Sequence, residues 1–257
     1  MHPIAFHLRL ILLAVIASLA ALAQPLSIAA RDAFNVGVRE FQAGQYQSSA
    51  KSFQKAVERA PTLLTARVYL ATALVHAYVP DDTSTENAEV GKAALAACQE
   101  VLNRDAANVP ATDSMATIYF QMREFVRSRE WNLKVVALDP GSKSSLYMLG
   151  AIYLSEVGNV IRDARNSLGM TTADPGPLRD LELREQLRVK HLKNINDGIE
   201  FERACLALDG EYARAMITLA DLLRVRADLG DASAYASDMT EVADLLTRAE
   251  KAVAAGK

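Results

Sequence analysis

Apolar residues along the chain follow a helical period that turn-forming residues interrupt at regular intervals. From Ala30 to Ala43 they recur at three- and four-residue spacing, and Gly44-Gln45 breaks the run. A second amphipathic stretch covers Tyr46 to Arg59 and stops at Pro61, which cannot continue a helix. The two-helix unit then returns, at about residues 30–63, 64–108, 109–142, 143–212 and 213–257. A polar insertion around Asp81–Thr85, after a first helix ending near Tyr78-Val79-Pro80, lengthens the second unit. A longer one, residues 158–193, interrupts the fourth. The pattern predicts an all-α chain whose helix pairs must stack, since one pair cannot bury its own apolar face.

Particular residue types recur at fixed places within the units. In the first, Gly37 and Ser49 are the small residues where two helices cross. Gly44 and Tyr46 mark the turn, Phe53 is an aromatic knob, Ala56 is small and Pro61 closes the unit. The second unit repeats this with Ala71, Ala94, Cys98 and Val101. The third has Ala116, Tyr119, Phe125, Ser128, Val135 and Asp139-Pro140, with Asn132 where the aromatic is expected and Trp131 one residue earlier. The fourth opens with Leu149-Gly150 and Tyr153 and closes at Cys205-Leu206-Ala207-Leu208-Asp209-Gly210. This register resembles the tetratricopeptide repeat (TPR), whose period is about 34 residues. The likeness is strongest in units one and three and weakest in unit five. It implies a right-handed α-solenoid of antiparallel helix pairs, with a long helical insertion in the fourth unit. The pair Tyr212–Arg226 and Ala232–Ala255 would end it, the last helix as a cap.

The resemblance also implies a concave face lined by the first helix of each unit. Its inward positions read Arg31, Phe34, Val38, Phe41 and Gln42 in the first unit, and Thr65, Val68, Thr72, Val75 and His76 in the second. They read Pro110, Asp113, Thr117, Phe120 and Gln121 in the third, and Ser144, Tyr147, Ile152, Ser155 and Glu156 in the fourth. Only Arg31 is basic, whereas members that clamp a carboxylate need several charge-assisted donors. The expected partner-binding groove is therefore apolar and aromatic: Phe34, Val38, Phe41, Val68, Thr72, His76, Thr117, Phe120, Tyr147 and Ile152. Such a face suits a peptide or amphipathic helix of a protein partner, or an internal occupant such as the insertion.

In the insertion, Ile161–Leu168 predicts a short helix ending near Gly169. Asp174-Pro175-Gly176-Pro177 predicts a turn that starts another, with Leu178, Leu181, Leu183, Leu187 and Leu192 at helical spacing, continuous to Leu208. It is either a lid over one end of the groove or an elaboration of one face. Val242, Leu245, Leu246, Ala249 and Val253 form a terminal stripe that is either core or a self-association surface, so a homo-oligomer is an open alternative.

The first 23 residues differ from the rest. Arg9 precedes an unbroken small and apolar run from Leu10 to Ala23, and Ala21-Leu22-Ala23 suits a signal peptidase. Residues 1–23 read as a secretory signal, leaving 24–257 as the repeat domain, periplasmic or extracellular, with no stable membrane insertion. A retained N-terminal anchor is the minor alternative. The run is shorter than the ~20 residues of a membrane span.

With 28 basic and 31 acidic residues the chain lacks the basic excess of a general nucleic-acid binder. His76 and His191 lie in different units with no ligand at helical spacing, and no phosphate loop or nucleophile elbow occurs, so neither metal nor cofactor is expected. Asp81-Asp82 reads as a solvated turn, and Asp221 as an ion-pair partner of Arg224 or Arg226. Cys98 and Cys205 occupy interior positions a whole repeat apart, beyond disulfide reach, which predicts two buried free thiols. The reading is a non-catalytic interaction scaffold of a bacterial envelope. A self-associating assembly factor whose groove holds its own insertion is the alternative.

Overall fold

The computed structural model describes residues 27–171 and 174–256. Among them the chain forms α-helices and no strands. The helices are α1 (Ile28–Gln42), α2 (Tyr46–Arg59), α3 (Leu64–Ala77), α4 (Thr85–Leu102), α5 (Val109–Gln121), α6 (Phe125–Leu138), α7 (Lys143–Ser167), α8 (Leu181–Leu208), α9 (Ala213–Leu229) and α10 (Ala232–Ala254). Each odd helix packs against the even helix that follows, and each pair against the next, giving an all-α solenoid. The expected export signal, residues 1–23, lies outside the described residues.

The small residues act at the helix crossings as their spacing predicts. A Cβ on Gly37 would sit 2.8 Å from the Phe53 ring, so only glycine admits that knob. The Ser49 hydroxyl donates to the Gly37 carbonyl at 2.9 Å, and the Ser128 hydroxyl to the Ala116 carbonyl at 2.9 Å. In α6 Asn132 replaces the aromatic, is buried, and donates to the Ser128 carbonyl at 2.9 Å. The insertion of the second unit becomes a loop pinned by buried Asn87. Its amide accepts from the Val79 N–H and donates to the Val79 and Asp82 carbonyls. Asp81 pairs with Arg123 through two bonds of 2.9 Å, tying this loop to the α5–α6 turn.

The fourth unit departs from expectation. No break occurs at Gly158: α7 runs without interruption to Ser167, so Ile161–Leu168 is its last part and not a separate helix. A glycine inside a helix costs about 1 kcal/mol. Burial of Val157 and Ile161 on either side of Gly158 outweighs it. Nor does Pro177 begin a helix. Asp180 caps α8, accepting from the Leu183 N–H at 3.0 Å, and Leu181 is exposed. Leu178, ahead of the cap, is wholly buried, and its N–H donates to the Asp228 carbonyl. From Leu181 to Leu208 the helix is continuous, as its leucine spacing predicts.

The insertion is thus a longer hairpin of α7 and α8. It packs against α9 and does not lie across α1, α3 and α5. Arg165 bolts it down: its guanidinium donates to the Thr171, Asp174 and Gly176 carbonyls and pairs with buried Asp228. Val157, Ile161, Leu178, Ile195 and Ile199 share one core with Leu219, Leu222, Val242 and Leu245. Val242, Leu245 and Ala249 of the terminal stripe are therefore core, Leu246 is half-buried, and Val253 is exposed. Cys98 and Cys205 are buried and unpaired, and burial pushes their thiols up to about 12 and about 11.

Candidate functional site

Among the first helices α3 packs against α5 and α7 against α9, and rings bridge α1 to α3. Phe34 meets Tyr69 edge-on at 5.2 Å, and Phe41 meets His76 at 5.3 Å. Tyr46, from the start of α2, stacks on His76 at 5.0 Å and closes a three-ring cluster with Phe41 at 5.2 Å. His76 is exposed, so this cluster is open to solvent. Phe34 is half-buried and backed by Phe53 at 5.4 Å. Val38 packs against Ala50, Phe53 and Ala73, while Val68 joins the core between α3 and α5. Thr72 is half-buried, with its hydroxyl turned back to the Val68 carbonyl at 3.0 Å.

In the third unit Asp113, Thr117, Phe120 and Gln121 are all half-buried. Phe120 leans on Phe125 at 5.5 Å. Burial pushes the Asp113 carboxyl up, and among the described residues it has no hydrogen-bonding or ionic partner. Tyr147 is half-buried against Tyr212 at 5.5 Å, beside the cluster of Leu146, Cys205 and Ala215.

One expected groove residue is misplaced. Ile152 is wholly buried. Counting from Gly150, the inward place falls on Ala151, one residue earlier, and the next inward turn on Leu154 and Ser155. A slip of one residue on a helix turns a side chain by about 100°. Val75 is likewise core, at 2 % exposure. Glu156 is half-buried and bound to Arg129 of α6 at 2.6 Å.

Sequence reasoning missed two features of this face. Tyr69 joins the aromatic row from the place beside Val68, and Tyr46 from the start of α2. A cleft also opens at the row's far end, where α7 outgrows the ordinary repeat. Two adjoining depressions of about 490 and 530 Å³ share Arg165, Asp221, Arg224 and Asp228. Leu154, Ile161 and Val225 supply apolar lining in one, and Tyr235 and Met239 in the other. The Asp221–Arg224 pair expected from the sequence forms at 2.8 Å, and Arg226 pairs instead with Asp238. Among the described residues no group of three or more His, Cys, Asp or Glu is placed to hold a metal.

No protein-family model matches the sequence, and no curated protein gives a significant match. Solved structures do match. A MamA fragment, residue 41 to the end, from Desulfovibrio magneticus RS-1 superposes with a TM-score of 0.55 at 15% identity, over 86% of this chain and 97% of that one. A second MamA structure gives 0.56 at 11% identity, over 87% and 93%. YrrB, described as a TPR protein with an unusual peptide-binding site, gives 0.51 at 11% identity, over 87% and 90%. The chain has the tetratricopeptide-repeat fold. Within this TPR solenoid the ring cluster of the first two units and the ring pairs of the third and fourth sit on or beside the first helices, and the lengthened fourth pair carries the arginine-rimmed cleft.

Proposed function

We propose that the protein is a non-catalytic, exported scaffold that holds an apolar peptide or amphipathic helix of a protein partner along its inner face. The observation that carries this reading is the row of half-buried rings Phe34, Phe41, Phe120 and Tyr147, each backed by a second ring. Rings held this way present apolar area with little left to order on binding. The peptide-binding site for which YrrB is described, on the same fold, favours a similar use here. Export rests on the apolar run Leu10–Ala23 and its small-residue end. No helix among the described residues is long and apolar enough to cross a membrane.

The test is capture of partners from an envelope extract by the protein and by a Phe41→Glu, Phe120→Glu variant whose circular dichroism is unchanged. Proteins kept by the first and lost by the second would support the groove; identical profiles would remove it. N-terminal sequencing of protein recovered from the envelope fraction should begin at Gln24. A chain retaining Met1 in the cytosol would refute export.

A further inference from the structure

The cleft at the end of the aromatic row differs from the row in chemistry. Its floor is apolar, from Leu154, Ile161, Val225 and Met239. Its rim carries guanidinium groups in unequal states. Arg165 is buried and fully engaged with Asp228 and three carbonyls. Arg224 is exposed and shares one bond of 2.8 Å with Asp221. Arg162 is exposed and bonded to the neutral Asn159 amide at 2.7 Å, with no carboxylate partner among the described residues. Among the described residues the rim therefore holds a positive charge that no paired acid balances, above an apolar floor. Pockets with apolar walls and a few placed charges are where ligands are bound and oriented.

We propose that this cleft is a second recognition site, taking an acidic, leucine-rich segment of a partner protein, with a ligand carboxylate between Arg162 and Arg224. The apolar side chain beside that carboxylate fills the depression over Leu154 and Val225. Planar guanidinium groups suit carboxylates because they offer parallel N–H donors. The site exists because α7 continues past Gly158: an ordinary repeat helix would end before reaching Asn159 and Arg162. It rests on the scaffold reading only in placing a peptide on this face, and it is separable from the aromatic row by mutation.

The probe is a short fluorescein-labelled peptide in which glutamate alternates with leucine, compared with its glutamine and lysine counterparts, read by fluorescence anisotropy. The glutamate peptide should bind, weaken as salt rises, and lose at least about tenfold in affinity in Arg162→Glu and Arg224→Glu proteins. Both arginines are exposed, so folding should survive. Ser155→Trp, which fills the cleft without changing charge, should have the same effect. Phe41→Glu should leave this binding intact, so failure of the aromatic row and failure of the cleft are told apart. Equal binding of the glutamine peptide, no binding of the glutamate peptide, or indifference to Ser155→Trp would each overturn the proposal. So would a dimer, seen by light scattering, that the arginine variants dissociate, since the occupant would then be a second copy.

Discussion

Glu202 offers a sharp test of how the fourth unit is held together. It stands on α8 at the place Phe53 takes in the first unit, wholly buried against Gly150. Among the described residues neither carboxyl oxygen has a hydrogen-bond partner. Burial pushes the group up to about 9, so the folded protein keeps its proton at neutral pH while the unfolded chain, near 4.5, does not. Between those values the native state binds one more proton than the unfolded state. Stability from this group is fully present below the unfolded value and falls as pH rises, at about 1.4 kcal/mol per pH unit. Holding the proton at pH 7 costs about 3 kcal/mol. The perturbation is Glu202→Gln, which keeps the shape and removes the titration. The assay is urea unfolding followed by helical circular dichroism from pH 5 to pH 8. The difference between wild type and variant should widen by about 4 kcal/mol over that range, the wild type losing ground as pH rises. Glu202→Leu should share the flat profile without leaving an amide unpaired. If the wild type and both variants respond to pH in parallel, the carboxyl is not buried as described and the reasoning fails.

Arg165→Ala should destabilise the protein by about 3–5 kcal/mol in the same unfolding assay, because Asp228 stays buried without its partner. A joint change of Arg165 and Asp228 to leucine should cost less than that single change. Gly37→Ala drives a methyl into the Phe53 ring and should cost about 1–3 kcal/mol, whereas Gly44→Ala, with open space around it, suffers only from its left-handed backbone. Thiol titration of the native protein should find Cys98 and Cys205 unreactive, and denaturant should expose both. A fast native reaction at Cys98 would contradict its burial.

Much of the fold is legible in the sequence because helix ends there are marked by residues with one conformational use. Gly44 occupies the left-handed region at φ 72°, and the helices on either side of it, α1 and α2, end and begin next to it as predicted. Ile152 shows where this reasoning gives out. Isoleucine is as acceptable to a groove as to a core, so nothing in its chemistry corrects a count that is one residue late. The separate helix expected at Ile161–Leu168 fails for the opposite reason: Gly158 weakens the helix locally, but tertiary burial of Val157 and Ile161 keeps α7 continuous. Glu202 sits among Glu200 and Arg203 and reads as part of a solvated face. Only the contact with Gly150 reveals it as a knob. The cleft was invisible because Arg162 and Arg224 line one depression only once the extended hairpin has been built.

The residues at the aromatic place explain why the repeats are unequal. Phe53, Cys98, Asn132 and Glu202 occupy it in turn, and all are buried. Each is worse suited to an apolar interface than Phe53. Cys98 is smaller, Asn132 satisfies its amide only by bonding back to its own helix at Ser128, and Glu202 carries a proton it would shed in water. A stack of nearest-neighbour interfaces weakens locally when one knob is poor. The fourth unit carries the poorest knob and also the longest helices. Fully burying one large aliphatic side chain contributes about 1.5–3 kcal/mol. Ile161, Leu178 and Ile195, all brought in by the hairpin or its loop, are buried. Two of them are enough to offset the protonated carboxyl. The insertion is therefore part of the repeat's own core, and the cleft on its inner side follows from the length that core requires.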